Sequence, residues 1–104
     1  MRTGVTTDQA PRAIGPYSQA LRAGGFVFCS GQIPLRADGS LVSGDIAAET
    51  RQVMENLVAV LKAAGASPAA VVRSTIYLTD LTHFAQVNDI YGSYFVAPFP
   101  ARAT

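Results

Sequence analysis

The first residues of this sequence that could do chemistry stand where predicted strands and turns are interrupted. Tyr17 follows a stiff Gly15-Pro16 turn that presents its aromatic hydroxyl, and Ser30-Gly31 ends an apolar strand with a small hydroxyl and a glycine. Because glycine has no Cβ, the backbone at Gly31 could approach a ligand closely. Each feature also has a plain alternative: Tyr17 can be a packing residue, and Ser30-Gly31 can be a strand exit or a bulge.

Two further polar side chains interrupt apolar stretches in the second half of the chain. Asn88 lies on the apolar stripe of a predicted helix, one residue after Val87 and four after Phe84. A buried amide without partners costs about 1–3 kcal/mol, so Asn88 either ties down a loop in the core or lines an internal cleft. Arg102 follows Phe99-Pro100, where proline forces extended backbone. It is either an ordinary surface arginine or a site residue on a strand.

The familiar catalytic signatures are missing from the sequence. His83 is the single histidine and falls in the first turn of a predicted helix, which disfavours a Ser-His or Cys-His nucleophile. The sequence has no metal-ligand spacing such as CxxC or HExxH. Glu49 and Glu55 fall beside and opposite the apolar stripe of another predicted helix, so neither is placed as a buried general base.

Composition limits the class of protein. The chain has 104 residues, enough for one domain, with 49% hydrophobic and 14% charged residues and a net charge of +1. So apolar a chain exposes apolar surface, which favours an oligomer interface. The eight basic residues are scattered, which disfavours nucleic acid as a partner. With a single cysteine, Cys29, and neither a signal peptide nor a membrane-spanning run, we expect a soluble, cytoplasmic protein.

The first half of the chain predicts a hairpin followed by a helix. Two short runs, residues 18–23 and 26–30, flank Gly24-Gly25, which is typical of a two-residue hairpin turn. Asp45 can cap a helix that ends at Gly65. The apolar positions that repeat at helical spacing in this segment are Ile46, Thr50, Val53, Leu57, Val60, Leu61 and Ala64.

The second half predicts a strand and a second helix. Residues 71–78 are β-branched and alternating, which predicts a strand. Thr82 can cap a helix with Phe84, Val87, Tyr91, Tyr94 and Phe95 on its inner stripe. Two helices on one face of a mostly antiparallel sheet make an α+β sandwich, and we expect a single domain over residues 1–104.

Taken together, the motifs resemble one family. The segments that carry the resemblance are Ala13-Ile14-Gly15-Pro16-Tyr17-Ser18-Gln19-Ala20, Ser30-Gly31-Gln32-Ile33-Pro34, Asn56-Leu57, Ala64-Gly65, Val71-Val72-Arg73, Phe84, Val87-Asn88, Tyr91, Phe95 and Pro100-Ala101-Arg102. They are similar to the Rid family of reactive-intermediate imine deaminases, also called YjgF or L-PSP endoribonuclease proteins. The resemblance runs from about residue 10 to residue 104. It implies a chorismate-mutase-like α+β fold and a homotrimer with clefts between its subunits.

The resemblance also implies a reaction and the residues that serve it. Members hydrolyse enamines and imines such as 2-iminobutanoate and 2-iminopropanoate to 2-keto acids and ammonia, without metal or organic cofactor. Arg102 would be the catalytic residue, holding the substrate carboxylate through a bidentate, charge-assisted pair. Thr104 stands where many members carry a cysteine whose backbone carbonyl helps to hold the attacking water, and the backbone of Thr104 would take that role. The substrate-binding residues it implies are Tyr17, Ser30, Gly31, Asn88, Arg102 and Thr104.

The sequence departs from the family pattern after Pro100-Ala101-Arg102. Members continue for two more strands and carry a glutamate that activates the water, which has no counterpart in the 104 residues. We therefore expect a truncated product or part of a longer polypeptide, and activity of this chain as an enzyme is left open. The alternative is a regulatory trimer that binds 2-keto acids without turnover. The third possibility, an endoribonuclease, is disfavoured by the scattered charge.

Overall fold

The computed structural model describes residues 1–104 and consists of five short strands and two helices. The strands are β1 (Arg2–Val5), β2 (Ala20–Ala23), β3 (Phe26–Cys29), β4 (Arg73–Thr75) and β5 (Ala101–Ala103). The helices are α1 (Ile46–Ala63) and α2 (Phe84–Gly92), with 3-10 turns at Pro68–Ala70 and Leu81–His83. The fold is α+β, with two helices packed on a mostly antiparallel arrangement of strands, as the sequence predicts.

The first three strands form an antiparallel sheet in chain order, and the predicted hairpin is confirmed. Ala20 pairs with Cys29 and Ala23 with Phe26 across the turn. Gly24 and Gly25 have φ angles of 58° and 82°. Positive φ at both central residues matches the twist of the flanking strands, and glycine adopts it without steric cost.

The remaining two strands form a separate parallel pair. β4 pairs with β5 so that Ser74 stands opposite Arg102. The predicted strand over residues 71–78 is wrong in its length, because only Arg73–Thr75 is a strand. One flanking backbone bond lies on each side, from Ala101 N to the Val72 carbonyl and from Ile76 N to the Ala103 carbonyl. The strand is short because the partner strand that it pairs with has only three residues.

Helix α1 is the main packing element, and its predicted boundaries are confirmed. The Asp45 carboxylate accepts a hydrogen bond of 3.0 Å from the Ala47 amide, which caps the first turn. Gly65, at φ 80°, turns the chain away after the last residue. The residues of α1 that are buried are Thr50, Met54, Asn56 and Val60. Met54 and Asn56 are the members of this set that the apolar pattern does not predict, and Asn56 has only 1% of its surface exposed.

Helix α2 begins later than predicted and has a different cap. The Asp80 carboxylate, and not Thr82, accepts the capping hydrogen bond, from the Thr82 amide at 2.9 Å. Asp80 caps a 3-10 turn, so α2 itself starts at Phe84. A carboxylate competes well for this role, since it also accepts from the Thr82 hydroxyl at 2.7 Å. Val87 and Tyr91 are buried as predicted, whereas Phe84 is 40% exposed.

The molecule is a thin slab with a small core. Its extents are 42 × 34 × 18 Å, and only 12 of 104 residues are buried. The core cluster consists of Val5, Ala10, Ala20, Val60 and Ala64, with Val27 and Ala59 packed against it. The accessible surface is 6951 Å², against roughly 5,600 Å² for a compact monomer of this mass. No helix is long and apolar enough to span a membrane.

Candidate active site

Arg102 is held in place by aromatic rings. It lies at the centre of β5 and is half-buried. The central carbon of its guanidinium lies 5.1 Å from the centroid of the Tyr91 ring and 5.6 Å from that of Phe84. Both distances are those of cation–π contacts. Such contacts engage the positive charge with a ring face, and the N–H groups are left to serve as hydrogen-bond donors.

The Tyr91 side chain is itself fixed by two further contacts. Tyr91 is 7% exposed, and its hydroxyl donates to Ser74 Oγ at 2.9 Å. Its ring also packs against Phe95, with the centroids 4.8 Å apart. Ser74 stands opposite Arg102 in the β4–β5 register. The helical spacing predicts Tyr91 on an inner stripe but does not predict its contact with the arginine. The signal for it is the pair of aromatic residues seven positions apart on one helix face.

Asn88 shares that helix face. Phe84, Asn88 and Tyr91 follow the i, i+4, i+7 spacing, which aligns side chains along one side of a helix. Asn88 is half-buried, so it is not the fully enclosed core asparagine considered above. It lies between the two residues whose rings contact Arg102, and an amide there can donate to or accept from a ligand bound at the guanidinium.

A second group of predicted residues surrounds a small cavity of about 40 Å³. Tyr17 and Gly31 line it, together with Gln32. The Tyr17 oxygen accepts a hydrogen bond of 3.3 Å from the Ile14 amide, so the phenol proton remains available to a ligand. A Cβ placed on Gly31 would meet nothing within 4 Å, so the backbone is open on that side. The cavity has room for a few water molecules but is too small for a 2-imino acid.

Ser30 and Thr104 lie close in the chain to Gly31 and Arg102, and the backbone of Ser30 is already engaged. The Ser30 hydroxyl donates to the Ser18 carbonyl and its amide to the Gln19 carbonyl, so the side chain can only accept from a ligand. Thr104 follows β5 and is exposed. The preceding Ala103 carbonyl pairs with Ile76 N, which fixes the chain as it leaves β5.

Two buried amides that are not among the predicted site residues support the cavity. Gln19 is 4% exposed; its side-chain oxygen accepts from Thr7 N, and its amide donates to the carbonyls of Thr7 and Pro11. Asn56 donates to the carbonyls of Ile33 and Leu35. Both amides fasten chain segments that lie outside the strands and helices. In the sequence they look like ordinary polar residues, because the carbonyls they bind lie up to 23 positions away.

The predicted residues therefore form two groups within one chain. Asn88 and Arg102 lie with α2 and the β4–β5 pair, whereas Tyr17 and Gly31 lie at the cavity beside the β1–β2–β3 sheet. The cavity is not lined by Asn88, Arg102 or Thr104, and the two sheets share no ladder. A single copy thus supplies a cationic part and a hydroxyl-and-backbone part of a site.

Four side chains outside these two groups have shifted pKa values. Burial raises the pKa of the Cys29 thiol, and burial with the Glu55 hydrogen bond raises that of Tyr94 to about 12. Hydrogen bonds from Thr82 lower the pKa of Asp80, and those from Ser40 lower that of Asp38. No three His, Cys, Asp or Glu side chains lie together as a metal site. The arrangement is suited to binding an anion and presenting hydrogen-bond groups to it.

Comparison with known proteins assigns this architecture to a family. The family model described as endoribonuclease L-PSP matches residues 7–104. Protein DfrA of Myxococcus xanthus is 56% identical over 106 residues, covering 99% of this chain and 81% of that protein. The 2-iminobutanoate/2-iminopropanoate deaminase of Homo sapiens is 45% identical, covering 99% and 76%. The crystal structure of the Rid-family protein YyfA from Yersinia pestis superposes with a TM-score of 0.97 at 47% identity, covering 100% and 84%.

Proposed function

The chain belongs to the Rid (endoribonuclease L-PSP) family, and on this premise we propose that it hydrolyses reactive 2-imino acids, of the 2-iminobutanoate and 2-iminopropanoate type, to 2-keto acids and ammonia. Relatives with that name are similar over nearly the whole chain. The reaction adds water to the C=N carbon and then expels ammonia. It consumes only water, so the proposal needs no cofactor.

The observation that carries the proposal is the environment of Arg102. A half-buried guanidinium held by two aromatic faces keeps its donors for a ligand, and a carboxylate is the planar partner that matches them two at a time. Asn88, on the same helix face as those rings, would bind the substrate near its reacting carbon. In this proposal Arg102 anchors the substrate and the rest of the site orients it.

The complete cleft would form between subunits of a homotrimer. One copy separates Arg102 and Asn88 from the Tyr17–Gly31 cavity, so a neighbouring copy would bring the complementary group. Phe26 and Phe28 lie on the sheet face turned away from the core and are 59% and 61% exposed, which gives an apolar surface for that assembly. We place this single-domain protein, residues 1–104, in the cytoplasm.

Within this cleft each remaining group would have a distinct role. The phenol proton of Tyr17 and the open backbone at Gly31 would face the imine end of the substrate. Ser30 could accept a hydrogen bond, and the Thr104 backbone would help to hold water. The resemblance assigns activation of that water to a glutamate with no counterpart among the 104 residues.

Substitution of Arg102 tests the proposal directly. Ammonia release from freshly generated 2-iminobutanoate would be measured for the parent, Arg102→Ala and Arg102→Lys. Arg51→Ala, an exposed arginine on α1, is the matched control. Loss of two charge-assisted bonds should lower kcat/KM about 100-fold or more in Arg102→Ala, with partial retention in Arg102→Lys. Equal rates for Arg102→Ala and the parent would contradict the assignment.

Binding without turnover is the second candidate, favoured because the groups around Arg102, two ring faces and the Asn88 amide, can bind and orient an anion. Calorimetric titration with 2-ketobutyrate separates the two: saturable binding that Arg102→Ala abolishes, with no ammonia release from the imine, would establish a binding protein. Ribonuclease activity would need a steep salt dependence of RNA binding, which the scattered basic residues do not favour.

A further inference from the structure

We infer that Asn56 is a positioning residue, which sets the wall of the Tyr17–Gly31 cavity from its buried inner side, and this inference rests on the proposed function of that cavity. Asn56 is 1% exposed and lies on the middle of α1. No part of its side chain is needed for helix formation. Its effect must therefore be sought in what it binds.

The two hydrogen bonds that Asn56 donates both go to one loop, residues 31–35. Its Nδ2 donates to the Leu35 carbonyl at 2.8 Å and, more weakly, to the Ile33 carbonyl at 3.4 Å. Its Oδ1 accepts from Gln52 Nε2 at 2.9 Å, one helical turn earlier. All three contacts are directional, so the amide has a single orientation and holds two carbonyls of the loop at a fixed height above the helix.

That loop forms one side of the cavity. Gly31, Gln32, Ile33 and Leu35 all line it. The loop lies outside the strands and helices, and its other internal bonds are few: Leu35 N donates to the Ile33 carbonyl at 2.7 Å, and Val42 N donates to the Pro34 carbonyl at 2.8 Å. These bonds shape the loop but do not attach it to α1. Asn56 supplies that attachment.

Burying the Asn56 amide costs free energy, and the compensating effect is that it fixes the position of the loop. An apolar side chain of similar size would bury more favourably but would leave the carbonyls of Ile33 and Leu35 facing α1 without a donor. Buried, fully satisfied amides fix one arrangement of the groups they bind. The consequence here is a defined distance between the Gly31 backbone and the Tyr17 hydroxyl, because the Pro11 segment, which also lines the cavity, is fixed separately by Gln19.

Three variants test this role. Asn56→Asp keeps the shape but turns an oxygen toward the two carbonyls, and Gln52→Ala removes only the bond that orients the amide. Val60→Ala is the packing control: Val60 is 0% exposed on the same helix, packs in the core cluster and has no side-chain hydrogen-bonding group. Each variant would be measured for melting temperature, hydrogen exchange at the amides of residues 31–35, affinity for 2-ketobutyrate and kcat/KM for 2-iminobutanoate.

Asn56→Asp is expected to speed exchange in the loop and to lower affinity and kcat/KM by about 10- to 100-fold, the effect of a displacement near 1 Å in a binding wall. Gln52→Ala should act in the same direction by about threefold, since one of three bonds is lost. Val60→Ala should lower the melting temperature and leave loop exchange, affinity and kcat/KM unchanged.

The inference is overturned if Asn56→Asp folds and keeps the parental loop exchange and the parental affinity. It is also overturned if Val60→Ala changes loop exchange and affinity as strongly as Asn56→Asp does when the two variants have the same melting temperature. Should Asn56→Asp not fold, Gln52→Ala decides, and parental exchange and affinity in that variant overturn the inference. If the parent neither binds 2-ketobutyrate nor releases ammonia, the proposed function fails. Hydrogen exchange then still shows whether Asn56 holds the loop.

Discussion

At the scale of single residues, the two rings that contact Arg102 engage the charge of its guanidinium and leave its N–H groups to donate hydrogen bonds. The ring faces of Tyr91 and Phe84 stabilise the cation, and the hydroxyl of Tyr91 is used elsewhere, on Ser74. Ring and hydroxyl of one tyrosine thus have different tasks. They can be removed one at a time.

Two substitutions of Tyr91 separate these tasks. Tyr91→Phe keeps the ring and removes the bond to Ser74, so we expect a loss of about 1 kcal/mol in the free energy of unfolding and little change in affinity. Tyr91→Leu removes the ring and its cation–π contact, so affinity for 2-ketobutyrate should fall further, by about three- to fivefold. Urea unfolding and calorimetry measure the two quantities. A larger affinity loss in Tyr91→Phe than in Tyr91→Leu would contradict this division.

The sequence predicts the members of the site better than their surroundings. Arg102 and Asn88 break local patterns, which makes them visible as candidates. Their neighbours Phe84 and Tyr91 follow the helical pattern and look like core residues. The reason is physical: a ring that packs in a core and a ring that holds a cation use the same apolar spacing. Only the pairing of β4 with β5 brings the arginine to them.

At the scale of elements, local chemistry determines the hairpin and α1. Gly24-Gly25 requires no tertiary contact to turn the chain, and Asp45 and Gly65 bound the helix by bonds within a few residues. The predictions are wrong where the bounds of an element depend on a distant partner strand or on a competing capping residue. The predicted strand over residues 71–78 is limited by a partner 28 positions away, and Asp80 outcompetes Thr82 as the cap.

The cap of α1 can be tested by a conservative pair. Asp45→Ala leaves the Ala47 amide without its acceptor and should cost about 1 kcal/mol of unfolding free energy. Asp45→Asn retains an oxygen acceptor and should cost only a few tenths of a kcal/mol. Urea denaturation at neutral pH measures both. Equal costs for the two variants would show that the carboxylate charge, and not the capping bond, is what stabilises the helix start.

The junction between α1 and the segment after α2 should respond to alkaline pH. Tyr94 donates to Glu55 at 2.6 Å, and burial together with this bond raises its pKa from 10.0 to about 12. Because the folded value is the higher one, the stabilisation is complete below pH 10 and is lost as pH rises toward about 12.

Urea midpoints between pH 9 and 12 would measure this loss. Tyr94→Phe has no phenol to ionise at this junction and should show a shallower decline than the parent over that range. Tyr77→Phe is the control, since Tyr77 is 91% exposed, and its decline should match that of the parent. Parallel curves for all three proteins would show that the Tyr94–Glu55 bond does not contribute.

At the scale of the whole molecule, the slab is too thin to bury both faces of its sheet. Its shortest extent is 18 Å, about the depth of one helix layer on one sheet, and Phe26 and Phe28 are left on the open side. We expect copies of the chain to cover that side. High hydrophobic content in the sequence predicts such a surface, but only the hairpin register shows which residues compose it.

Polar substitution of that face tests the assembly. Phe26→Ser with Phe28→Ser should convert a trimer to monomers in light scattering coupled to gel filtration. Binding of 2-ketobutyrate should fall at the same time, since the two parts of the cleft would no longer meet. Val96→Ser is the matched control, because Val96 is 88% exposed and lies outside the sheets. An unchanged mass for the double variant would place the interface elsewhere.

The short β5 strand has a consequence for dynamics. Three residues attach Arg102 to β4, and the loop that returns to them spans 25 residues and includes α2. Because these bonds are few, they open at a much lower free energy than the whole domain does. Arg102, the ligand anchor, can therefore detach while the hairpin and α1 stay folded. A bound carboxylate would oppose this fraying through the guanidinium and its rings. Ligand binding would then slow hydrogen exchange at the β4–β5 amides, which exchange through this local opening and not through global unfolding.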